Sequence, residues 1–285
     1  MGIEGFVKAV EKQKMRCEGI VVLQHGEKVA EHRWIPEAAR SCFSVSKSFV
    51  SIAIGMAVDR GKLTLGDRAA DVLEARKPTK RLAAITLEHL LTMTRGHNAF
   101  SRPPTVAAAL AQPLKHEPGS HFVYDNGSTF LASAMFTRRM GMTVRDFLVG
   151  ELFRPLGIAD PQWPESPDGH TVGSSQLVLT TSDLARFGQF LLQRGNWQGK
   201  QLVSPAWIDS ASRPHVSTRK RMEDSNLGYG YFFWPSRHGA YRADGKLGQL
   251  IIVLPRQEAV IAINANAPRY NPIIFAVWDE ILPLL

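Results

Sequence analysis

Apolar and polar positions run along this chain in two periods, and the change of period divides it. Residues 3–15 put Ile3, Phe6, Val7 and Val10 on one side, the three-to-four spacing of an amphipathic helix. Gly19-Ile20-Val21-Val22-Leu23-Gln24 is a short β-rich run. His25-Gly26-Glu27 can turn it into residues 28–34, which predicts a hairpin. An apolar helical run then starts at Ser44, continues to Val58 and stops near Gly61, a residue suited to the position after a helix end.

From there to about residue 220 the pattern is helices and loops. Helical spacing is predicted over 86–93 with a stop near Gly96, over 106–110, 128–140 and 144–152. Thr181-Ser182-Asp183 caps a helix reaching Leu192, and Ser204-Pro205 opens another with Pro at its first position. Pro155-Leu156-Gly157 breaks the chain and residues 161–167 form a Pro-rich loop. Strand character returns at 229–234, 241–243, 249–254 and 259–263, followed by an apolar helix over 273–282. Strands at both ends with helices between predict one α/β (α+β) domain over 1–285. Its sheet lobe would come from approximately 1–60 and 222–285, and its helical lobe from approximately 61–221.

Composition narrows the classes. Hydrophobic residues make up 44% of the chain and charged ones 21%, which excludes disorder and low complexity. The net charge of +8 is scattered apart from Arg213, Arg219, Lys220 and Arg221, a cluster without interleaved aromatics. A solvated loop fits it better than a nucleic-acid face, and a preference for anionic substrates stays open. Cys17 and Cys42 are far apart and lack metal-ligand spacing, so two free thiols are expected. Acidic Glu4 interrupts the N-terminal segment, and no stretch reaches the roughly 18 apolar residues of a membrane span. A cytoplasmic protein with a small-molecule partner, no nucleic acid and no membrane is the expectation.

The chemistry gathers at three places. Ser44 and Lys47 stand three apart at a helix start, on one face, so the ammonium nitrogen can reach the hydroxyl. Free N–H groups and the positive end of the dipole lie there too, which suits a serine that must become an alkoxide-like nucleophile. Tyr124-Asp125-Asn126 follows the turn Pro118-Gly119 and precedes a helix. A loop tyrosine can serve as acid or base and an asparagine can donate to a carbonyl. A core tyrosine beside an N-capping Asn126 is the alternative. The third place is Ala243-Asp244-Gly245, followed by Lys246-Leu247-Gly248-Gln249.

The order Ser44-x-x-Lys47, Tyr124-x-Asn126 and a strand glycine, Gly245, resembles the serine β-lactamase and penicillin-binding-protein-like family. Its class C branch, with esterase and 6-aminohexanoate-oligomer hydrolase relatives, is the most similar. Residues 46–49, 89–96, 154–158 and 183–188 resemble framework segments of that family. The resemblance implies a two-lobe β-lactamase-like fold with an antiparallel sheet. It also implies a cofactor-free, metal-free mechanism in which Ser44 forms an acyl-enzyme that water hydrolyses. Lys47 and Tyr124 would share the proton transfers, and which is the base stays open. Asn126 would hold Lys47 and the substrate's acyl side chain. The oxyanion would lie between the N–H groups of Ser44 and Lys246.

The third motif departs from the family. Where β-lactamases carry Lys-Thr-Gly, this chain has Ala243-Asp244-Gly245, so a cation that would recognise an antibiotic's carboxylate is missing. Small esters or linear amides are therefore the expected substrates. A β-lactamase or D-alanyl-D-alanine peptidase is the alternative, and a catalytically silent ligand-binding protein is the alternative of another class. Lys246 could partly replace the cation. Asp244 either contacts a substrate amine or is a solvated strand-edge carboxylate. His97 either lines the pocket mouth or sits on a surface loop, Cys42 is a packing residue, and Trp163, Tyr229 and Trp234 form either an aromatic wall or core.

Overall fold

A computed structural model describes residues 1–218 and 223–285. Arg219, Lys220 and Arg221 of the basic cluster lie outside the described residues. Helix α1 (Glu4–Lys12) leads into the hairpin β1 (Cys17–Gln24) and β2 (Glu27–Arg33). Helix α2 (Ser46–Asp59) comes next, then the helical stretch with α3 (Asn126–Met140) and α4 (Thr181–Leu192). The main sheet also takes β3 (Trp234–Pro235), β4 (Tyr241–Gly245), β5 (Gln249–Leu254) and β6 (Ala259–Ala265), before helix α5 (Asn271–Ala276).

The two chain ends build one antiparallel sheet in the order β2-β1-β6-β5-β4-β3. Ile20 of β1 faces Ile263 of β6, and Val22 faces Ile261. Every residue of β5 and β6 is buried, which explains their unbroken apolar runs: both faces of the sheet are covered. Phe6 and Val10 of α1 pack with Ile273, Ile274 and Trp278 on one face. Helix α4 covers the other, although it falls within the stretch assigned from sequence to the helical lobe.

Helix α2 is buried from Ser46 through Ala57, so it is a central helix rather than an amphipathic one. Phe49 stacks on Phe187 of α4 with ring centroids 3.7 Å apart, tying α2 to the helix on the sheet. Replacing Phe49 by Ala would cost about 3–5 kcal/mol. The helix ends where expected: Gly61, at φ 66°, donates to Val58, and Lys62 donates to Ala57, closing the last turn.

Three expectations need correction. Residues 229–233 are not strand. Tyr231 N–H donates to Ala211 and Phe232 N–H to Leu91, and Phe232 has φ 63°, so helix contacts draw this segment away from the sheet. The apolar helix over 273–282 is α5 followed by a π turn, Val277–Ile281, and a 3-10 turn, Leu282–Leu284. Helix α4 is capped one residue earlier than its Thr-Ser-Asp signal suggests, by Thr180 and Asp183 in a capping box. Both cysteines are free and buried. No described helix is long and apolar enough to cross a membrane.

Candidate active site

Ser44 does not lie in the first turn of α2 but in a 3-10 turn, Phe43–Val45, just ahead of it. Phe43 holds φ 46°, a left-handed conformation that costs a non-glycine residue on the order of 1–3 kcal/mol. The turn is pinned from both sides: Cys42 N–H donates to Leu177, and Val45 N–H donates to Cys42. Strain beside a serine, held by surrounding bonds, presents that serine in a fixed orientation.

Lys47 is 1% exposed. Its Nζ donates to Ser44 Oγ at 2.9 Å and to the Ser174 carbonyl at 2.8 Å, and lies 4.9 Å from the centre of the Tyr124 ring. These partners are neutral. Burial therefore lowers the Lys47 pKa from 10.5 to about 7, with Asp125 opposing the fall and Arg102 adding to it. Asn126 was expected to help hold Lys47, but its buried Oδ1 has no partner among the described residues; the Ser174 carbonyl holds the lysine instead. Trp163, one of the expected wall residues, is buried and donates Nε1–H to the Ser175 carbonyl at 3.0 Å, which fixes this loop.

The loop carrying Tyr124 and Asn126 is anchored by the residue between them. Asp125, not Asn126, caps α3, accepting from the N–H groups of Gly127 and Ser128 at 3.1 Å. Arg95 Nε donates to the same carboxylate at 2.7 Å, and both side chains are almost fully buried. With Asp125 capping, Asn126 lines a cavity, and its buried Oδ1 has no partner among the described residues.

That cavity, of about 280 Å³, is lined by Ser44, Tyr124, Asn126, Asp244, Lys246 and Trp234, among others. Four of the six site residues read from sequence thus meet there, with Lys47 behind Ser44. A Cβ on Gly245 would collide with the Cys42 carbonyl oxygen, so the glycine lets β4 approach the serine turn. Asp244 is not solvated: its side chain is 8% exposed and accepts from Arg242 Nε at 3.0 Å. Lys246 is exposed. His97 is buried, with Nδ1 3.0 Å from the Pro113 carbonyl, and does not line the cavity. Tyr229 packs edge-on against Trp234 at 4.6 Å, behind the wall. Burial pushes the Cys42 thiol up, consistent with a packing residue. A larger hollow of about 920 Å³, between residues 73–82 and 106–114, contains none of these groups.

A family model described as Beta-lactamase matches residues 6–282. The chain belongs to the Beta-lactamase family. The match spans all six residues singled out above. An uncharacterized protein of Alkalihalophilus pseudofirmus is 23% identical over 252 residues, covering 78% of this chain and 71% of that one. A Bacillus anthracis structure named as a candidate 6-aminohexanoate-dimer hydrolase superposes with TM-score 0.80 at 18% identity, over 95% of this chain and 79% of that one. A penicillin-binding protein homologue from Caulobacter crescentus gives TM-score 0.75 at 20% identity, over 99% of each chain. These structures share the fold. Among the described residues no cluster of three or more His, Cys, Asp or Glu could hold a metal ion.

Proposed function

We propose that this protein is a serine hydrolase that acts through an acyl-enzyme on Ser44 and cleaves small esters or linear amides. The observation that carries this reading is the buried Lys47 amine, 2.9 Å from Ser44 Oγ and with its pKa lowered to about 7. Above that pH the amine is neutral and can accept the hydroxyl proton, which neither an ordinary lysine nor an ordinary serine environment allows. Ser44 Oγ attacks the carbonyl carbon while Lys47 Nζ takes its proton. The tetrahedral oxyanion is received by the N–H groups of Ser44 and Lys246. Its collapse breaks the bond to the leaving group, which takes a proton by way of Lys47 and Tyr124. Water then repeats the sequence on the acyl-serine, and Asn126 orients the acyl chain.

The Beta-lactamase fold and the relative named for 6-aminohexanoate-dimer hydrolysis support this class of reaction. The small cavity supports a small substrate, since drug-sized sites begin at about 300 Å³. The absence of a lysine at Ala243 supports esters or amides over β-lactams. The test is incubation with short-chain p-nitrophenyl esters and a chromogenic cephalosporin, followed by mass spectrometry of the Ser44 peptide. An acyl adduct on Ser44 and ester turnover lost in Ser44→Ala are expected. Turnover that survives Ser44→Ala would overturn the mechanism, and fast cephalosporin turnover with slow ester cleavage would reassign the substrate class to β-lactams.

A further inference from the structure

We infer that Asp244 forms a subsite for a protonated amine, and that the substrates of Ser44 carry such an amine within a few atoms of the reacting carbonyl. The inference deepens the proposed hydrolase function and rests on it. Among the described residues lining the cavity with Ser44, Asp244 is the one acidic residue, and its side chain is 8% exposed. A carboxylate at such depth needs partners, and it has two. Arg242 Nε donates to Oδ2 at 3.0 Å, and the Tyr270 phenol bonds to the same carboxylate. A carboxylate can accept about four hydrogen bonds, so acceptor capacity remains on a residue that lines the cavity.

Arg242 itself has no freedom to turn towards a ligand. It is 1% exposed and its other N–H groups donate to the Asp224 carbonyl, Ser236 Oγ and Ser225 Oγ. Residues 242 and 244 share one face of β4, so the strand presents the acid to the cavity and keeps the guanidinium behind it. Phe43, Tyr124, Trp234 and Tyr270 supply the neighbouring walls. Aromatic faces beside a fixed carboxylate favour an ammonium over a second anion. The cations on the same lining, Arg102 and Lys246, are both exposed, where water and salt screen them more than they screen Asp244. A cavity of about 280 Å³ limits the occupant to roughly one amino-acid-sized acyl group.

The experiment is protection of Ser44 from a fluorophosphonate probe by a matched pair, alaninamide and propionamide, which differ in the amine. Wild-type protein should be protected by alaninamide at concentrations about tenfold or more below those of propionamide. Asp244→Asn should erase that difference. Tyr270→Phe, a milder change, should reduce the preference in part and guards against a misfolded Asp244→Asn. Equal protection by both amides in wild type, or a preference unchanged in a folded Asp244→Asn, would overturn the subsite. Failure of the probe to label wild-type Ser44 would instead overturn the hydrolase reading. In that event the thermal shifts of wild type and Asp244→Asn with each amide decide on the subsite by the same pattern.

Discussion

Lys47 and Arg242 are both cations with 1% of their surface exposed, each bonded to a residue that lines the same cavity, and they have opposite fates. Arg242 lies against the Asp244 carboxylate and fills its remaining geometry with a carbonyl and two hydroxyls. Its charge is compensated, and Arg242 is scaffold that holds Asp244. Lys47 has a hydroxyl, a carbonyl and a ring face for company. Among the described residues no carboxylate bonds to it, so burial is answered by loss of the proton, and the amine falls to a pKa of about 7. Burial of a cation is therefore no signal of function by itself; the signal is burial without a bonded counter-ion.

The strongest way to break this contrast is through activity. Ser44→Ala should lower ester turnover by roughly a thousandfold or more, and Lys47→Met by about 10²–10⁴-fold, measured as kcat/KM. Equal activity in Lys47→Met and wild type would remove Lys47 from the chemistry. Stability should then separate the two cations by sign. Arg242→Met strands Asp244 in the interior and should cost about 3–5 kcal/mol. Lys47→Met should stabilise by roughly 2–5 kcal/mol at pH 6. The folded pKa lies below the unfolded one, so between about 7 and 10.5 the unfolded chain binds the extra proton and stability rises with pH. The gain from Lys47→Met is thus greatest below pH 7 and fades towards 10.5, which urea unfolding at pH 6 and pH 9 would reveal. A loss at pH 6 as large as that of Arg242→Met would erase the distinction. The smallest effect belongs to Gly245→Ala, where the new methyl meets the Cys42 carbonyl. A loss of about 1–3 kcal/mol in thermal or urea unfolding is expected.

What the sequence made legible follows from what is local. Ser44 and Lys47 are three residues apart, Tyr124 and Asn126 two, and such neighbours share a turn whatever the rest of the chain does. The hairpin of β1 and β2, the buried runs of β5 and β6, and the Ser204-Pro205 helix start were legible for the same reason. The partners of those residues were not. The Ser174 carbonyl lies 127 positions from Lys47, and Arg95 reaches Asp125 across 30. Asp125 is local too: a carboxylate before a helix is a cap signal, but Asn126 beside it carries the same signal, and only the assembled turn separates them. Residues 229–233 have strand composition, but contacts with Leu91 and Ala211 hold them elsewhere. Asp244 looked like a solvated edge carboxylate because neither Arg242's burial nor Tyr270's approach is visible before the sheet is assembled.

The central claim, that a buried and neutral Lys47 activates Ser44, is tested most directly by the pH dependence of fluorophosphonate labelling at Ser44. The labelling rate should rise tenfold per pH unit on the acid side and level off with a midpoint near the Lys47 pKa of about 7. A rate that keeps climbing towards pH 10, as an ordinary lysine or tyrosine would require, would contradict it.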